Sequence, residues 1–238
     1  MSKKYKLTDE TINLNGATLY RIEALKDFGE IKKGDKGGFI ESENNLSHEG
    51  NAWVSDDACV YGSACVYGDA CVFGCACVYD NALVSGNGQV YGSARVCGNS
   101  RVYGNARVTD DACVYGDAFV RGDARVCGNA RVYNHAYVYG DARVCGDALV
   151  RGYACVCGDA EISNKSDYIV FQNWWSSGRY FTWTRSNNMW SVGCFYGTGE
   201  ELIKKAYKDS ELSGREYERV VRYVESILAE ENLSKGTN

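Results

Sequence analysis

Twelve cysteines, two histidines and a cluster of tryptophans and arginines are the side chains of this 238-residue sequence best suited to chemistry. Cysteine thiolates hold zinc when four ligands converge tetrahedrally, and the usual mark of that in sequence is Cys-x-x-Cys. That spacing does not occur here. Cys59 and Cys77 stand eighteen residues apart, as do Cys127 and Cys145, while a single valine separates Cys155 from Cys157. No metal and no cofactor is expected from this distribution. The expected compartment is a bacterial cytosol, where thiols stay reduced, so the cysteines read as surface thiols and not as a disulfide framework. A histidine acting as general base must stand against a bound substrate. His48 lies just ahead of a long repeat, and His135 occupies a place in that repeat normally held by Asp or Asn.

The other concentration of chemistry lies near the C-terminus. Trp174, Trp175, Trp183 and Trp190 fall within 17 residues, with Arg179, Tyr180 and Arg185 among them. Arginine on aromatic rings suits planar anionic ligands. These seven residues form the candidate binding site, for a nucleotide or a peptide; the competing reading is a plain aromatic core. Tyr196-Gly-Thr-Gly-Glu opens a helix whose free amides suit a phosphate, with Glu200 and Glu201 competing for that position.

The element that carries most of the chain is a repeat of six. Val or Ile recurs at every sixth residue from Val54 to Ile162, nineteen times without a miss. Two residues before each stands Ala, with Gly88 and Ser100 the exceptions, and Gly followed by Asp or Asn usually comes after. Residues i and i+2 of a strand face the same way, so Ala and Val point inward and the residues beside them outward. Gly accepts positive φ and Asp or Asn bonds its own backbone, which turns the corner. Three hexads close a triangular coil, and coils stack at about 4.8 Å. The expected result is a parallel solenoid of about six coils.

Val at one position and a small residue four later resembles the hexapeptide-repeat β-helix family. The resemblance implies a left-handed solenoid and trimeric association. Many members of that family transfer acyl groups, using a projecting loop and a histidine at a subunit boundary. No insertion interrupts the hexads here, so acyl transfer is the weaker alternative, and catalytic residues are not expected. The leader Gly37-Gly38-Phe39-Ile40-Glu41, continuing through Asn45-Leu46-Ser47 to Trp53, resembles that of uncharacterised hexapeptide-repeat proteins of enteric bacteria, phage and prophage.

Residues eighteen apart stack, so the outer faces can be written down. One carries Arg107, Arg125 and Arg143 below Trp53, Cys71 and Gln89; corner Asp123, Asp141 and Asp159 are expected to offset the charge. A second carries Tyr61, Tyr79, Cys97, Tyr115, Tyr133 and Arg151. The third, with Tyr67, Leu83, Tyr103, Phe119, Tyr137, Tyr139 and Cys155, is the most apolar and is the expected subunit interface. A net charge of −5 argues neither for nor against nucleic acid; weighed with the offset arginines it makes nucleic acid an improbable partner.

Residues 1–51 form an N-terminal β cap, with strands at Lys4–Leu7, Thr11–Leu14 and Leu19–Ala24 and a hairpin turn at Asn15-Gly16. No apolar run follows Met1-Ser-Lys-Lys, so neither a secretory signal nor a membrane span is expected. Residues 52–164 are the solenoid, and 165–238 a small β-β-β-α-α domain whose helices open with Thr198…Glu201 and Ser213…Glu216 capping boxes. The expectation is a mostly β, non-catalytic interaction or scaffolding protein of phage or prophage type, homo-oligomeric and engaging a host or phage protein. The alternative is a binder that sequesters a small nucleotide signal.

Overall fold

Period-two burial within each hexad decides the architecture of the long central stretch. In the computed structural model, which describes residues 3–235 (side chains at 232, 234 and 235 excepted), each hexad forms one two-residue strand. There are nineteen of them, from β4 (Trp53–Val54) to β22 (Glu161–Ile162). The strands sort into three parallel walls, seven on the wall that holds Trp53 and six solenoid strands on each of the others. Every registered pair is eighteen residues apart, as in Gln89 with Arg107 and Val90 with Val108. The inward alanines and valines, such as Ala106 and Val108, are fully buried. The core is therefore a stack of small side chains whose coils bury one another.

Corners turn through positive φ. At Gly104 (φ +73°) an added Cβ would lie 2.9 Å from the amide nitrogen of Gly122 in the next coil. Asp56, Asp80 and Asp110 adopt the same conformation at the corners they hold. Each offsets the strain by accepting a hydrogen bond from the coil above: Gly74 N–H at 2.9 Å, Gly98 N–H at 3.1 Å and Gly128 N–H at 2.9 Å. Beside them, Asn81, Asn99 and Asp117 form a side-chain ladder with steps of 3.0 and 2.9 Å.

A solenoid end leaves strand edges without partners and must be covered. β1 (Tyr5–Leu14), β2 (Ala17–Ala24) and β3 (Lys36–Ile40) form a meander that joins the second wall, β3 pairing in parallel with Cys59–Val60. The two short strands expected before the hairpin are one strand, β1, whose register shifts between Leu7 and Thr11. Asn15 and Gly16 both have positive φ, as the expected turn requires. Polar side chains finish the edge. Lys4 Nζ donates to the Ala52 carbonyl at 2.8 Å, Tyr5 Oη to that of Leu46 at 2.7 Å, and Asn45 Nδ2 to that of Ala64 at 2.8 Å.

The chain divides into two compact units, the first ending at Asp167 and the second starting at Tyr168. The second is an antiparallel sheet of four strands, not the three expected: β23 (Tyr168–Gln172), β24 (Tyr180–Thr184), β25 (Met189–Val192) and β26 (Phe195–Gly197). Helices α1 (Gly199–Asp209) and α2 (Glu211–Lys235) follow. Thr198 and Glu201 form the expected capping box. The second box does not exist as such, because α2 already starts at Glu211 and the Ser210 hydroxyl takes the Ser213 N–H at 3.1 Å. Gly214 leaves no room for a methyl group against the Tyr207 ring, which is how α1 and α2 come close. Among the described residues no helix is long and apolar enough to cross a membrane.

Candidate functional site

The solenoid's outer surface follows from which residue stands beside each inward valine. On the third wall the outward column includes Leu83, Arg101, Phe119 and Tyr137 in successive coils. Phe119 and Tyr137 stack with centroids 4.8 Å apart, close to the spacing of the strands. Arg101 lies over Phe119 at 5.4 Å, and Arg121 over Tyr139 at 4.8 Å. Tyr67, Leu83, Ser85, Arg101, Tyr103 and Phe119 line an open groove of about 200 Å³. Tyr67 is 42 % and Tyr137 41 % exposed. Together they make an aromatic strip studded with two cations. Burial, and hydrogen bonding to Cys157, hold the nearby Tyr139 phenol well above its ordinary range.

On the other faces, Tyr61 stacks on Tyr79 and Tyr115 on Tyr133, at 5.1 and 4.9 Å. Arg143 pairs with the strand residue Glu161 at 3.3 Å, while Asp123 accepts from Asn105 in its own corner column at 3.0 Å. His135 sits 3.6 Å from Asp117 and stacks on Tyr153. His48 stacks on Tyr5 and accepts the Lys4 N–H at 3.2 Å. Among the described residues no group of three or more His, Cys, Asp or Glu side chains is arranged to hold a metal ion.

The cysteines require a correction. Cys127 and Cys145 are joined by a disulfide, where free thiols were expected. Parallel register places their Cα atoms 4.6 Å apart, inside the range that a disulfide spans. The eighteen-residue spacing held the signal, and the assumption of a reducing compartment hid it.

The seven C-terminal candidates do not share one cleft. Trp183 and Trp190 are partners across β24 and β25, 1 % and 2 % exposed, in a core with Phe181, Leu202 and Val221. Strand parity is the cause: Ile169, Trp183, Trp190 and Gly197 lie in one row across the sheet, on the face that the helices cover. The Trp183 indole N–H donates to Asn188 Oδ1 at 2.8 Å. Arg185 lies over Trp183 at 5.6 Å and grips Glu231 through two bonds of 2.6 and 3.2 Å. Tyr180 is half-buried at the start of β24. Trp175 packs edge-on against Tyr217, and its buried indole nitrogen has no partner among the described residues. Trp174, beside it in a loop tied by Asn173 to Ser176 and Tyr217, is 78 % exposed. Arg179 lines a separate open cavity of about 410 Å³ with Phe195, Tyr196, Lys205 and Asp209. At the helix terminus considered for phosphate, the capping box takes the Thr198 N–H at 2.8 Å and the Glu201 N–H at 3.3 Å, while Glu200 pairs with Arg222 at 2.6 Å.

Residues 76–92, 100–116 and 124–140 match the family described as the YdcK beta solenoid repeat. The three matches begin twenty-four residues apart, four hexads, and all lie inside the solenoid. The chain is thus similar to that repeat in part of its length. Nothing among curated proteins matches the chain.

Proposed function

We propose that the protein is a non-catalytic interaction and scaffolding protein of phage or prophage type. The solenoid is a rigid spacer, its third wall joins copies of the chain as a homotrimer, and the C-terminal unit engages a host or phage protein in the cytoplasm. The observation that carries this reading is the aromatic-rich third wall, where Phe119 stacks on Tyr137 and Tyr67 and Tyr137 are each about two-fifths exposed. Contiguous apolar surface of this kind marks contact with another macromolecule, and aromatic and arginine side chains are the types enriched where proteins meet. The uninterrupted hexads support the non-catalytic part, since nothing projects from residues 52–162 to enclose a substrate. The test is to replace Phe119 and Tyr137 with Glu and follow the molar mass in solution. Dissociation with the solenoid's circular dichroism unchanged supports the reading; an unchanged mass removes this wall from it.

One observation favours a second reading, sequestration of a small nucleotide signal. Trp174 is 78 % exposed beside Trp175, and a stacking platform for a base needs an open aromatic ring. Cyclic dinucleotides and ADP-ribose derivatives at one hundred times their dissociation constant would add about 2.7 kcal/mol of stability. A thermal shift that Trp174→Ala abolishes would establish this reading in place of the first.

A further inference from the structure

Cys59 and Cys77 take no part in the proposed function, yet their placement is chemically specific. They are direct partners in neighbouring parallel strands of the second wall. The same eighteen-residue relation is bridged between Cys127 and Cys145, so the stacking of coils accommodates a bond between cysteines. The two thiols of the first pair are unequal. Cys59 is 5 % exposed and packs with Leu19 and Phe39 of the N-terminal meander. Cys77 is half-buried, with the exposed Cys75 two residues before it. Its partner on the following strand is Arg95. A hydrogen bond from Cys59, helped by the charge of Arg95, draws the Cys77 thiol down to about 7. The same bond, together with burial, pushes Cys59 up. A half-buried thiol drawn toward its thiolate beside a more deeply buried thiol is the arrangement of an attacking and a resolving cysteine.

We propose that Cys77 and Cys59 form a dithiol redox site that reacts with small disulfides of the glutathione class. The Cys77 thiolate attacks one sulfur of the small disulfide, breaking its S–S bond and releasing one thiolate. The mixed disulfide on Cys77 is then attacked by Cys59, whose proton passes to solvent, and the second small thiolate leaves. Two protein thiols are oxidised to one disulfide, and one small disulfide is reduced to two thiols, which take up the released protons. The new bond joins the first and second coils on the wall that β3 enters through Phe39 and Cys59. It therefore fastens those two coils to each other, beside the strand that the meander adds to this wall.

The experiment uses the full chain, reduced and then exposed to oxidised glutathione, followed by tryptic mass mapping. Cleavage after Lys36 and Arg95 leaves Cys59 and Cys77 in one peptide, apart from those holding Cys127 and Cys145. The expected result is loss of two hydrogens from residues 37–95, with fragmentation placing the bond at Cys59 and Cys77. Oxidation should raise the thermal midpoint by several degrees. Cys59→Ala should instead accumulate one glutathione adduct on Cys77, at a rate that climbs at higher pH than in the wild-type chain, because the substitution removes the hydrogen bond that draws Cys77 down. A bond formed elsewhere, adducts confined to Cys75, or Cys77 left unmodified in the wild-type chain would overturn the proposal. The wild-type map decides the matter even if the variant does not fold.

Discussion

A single residue in this solenoid is held by its copies above and below. Gly104→Ala places a side chain in a left-handed conformation that costs about 1–2 kcal/mol by itself, and sets it against the backbone of Gly122. Asp110→Ala keeps the conformation and loses the bond to the Gly128 amide, a further cost of about 1–2 kcal/mol. Both losses are expected in urea unfolding, while Asp110→Gly should cost less than Asp110→Ala. Lys4 gives a pH dependence. Burial, then repulsion from Lys26, lower its pKa from 10.5 to about 8. Between those values the unfolded chain holds more protons than the folded one, so stability rises with pH across that window. Lys4→Met should flatten this rise between pH 8 and 10; a slope that the substitution leaves unchanged contradicts the assignment.

Elements differ in how far their sequence announces them. The solenoid strands are legible because one pattern recurs nineteen times and each copy needs only its neighbour eighteen residues away. That arithmetic also places the outward faces, Phe119 on Tyr137 and Arg107 on Arg125. The C-terminal unit has no such redundancy. Whether Trp183 and Trp190 face a core or a cleft depends on the register of a single hairpin, and on helices arriving later in the chain. The start of α2 was equally hidden: a cap is expected at Ser213, yet Ser210 takes the Ser213 N–H and the helix begins at Glu211. Trp183→Ala should remove about 3–5 kcal/mol from the C-terminal unit. Arg185→Ala, which breaks a partly exposed pair with Glu231, should remove no more than about 1 kcal/mol. Equal losses in the two variants would contradict this division between core and surface. Reducing the Cys127–Cys145 bond reopens an eighteen-residue segment and should cost about 3 kcal/mol in the loop-entropy account, read as a lower urea midpoint with dithiothreitol that Cys145→Ser reproduces.

At the scale of the whole molecule, the solenoid's outward columns each mix side-chain types, as in Leu83, Arg101, Phe119 and Tyr137. In the proposed reading, the solenoid's role depends on which column meets another protein. The third wall carries the proposal because Phe119 and Tyr137 stack there while Tyr67 and Tyr137 stay about two-fifths exposed. The most direct measurement is sedimentation equilibrium of the full chain across micromolar concentrations. The expected result is a mass three times that of the 26.2 kDa chain, falling toward one chain when Phe119 and Tyr137 are both replaced by Glu. A single-chain mass at every concentration in the unsubstituted protein would contradict the trimeric scaffold.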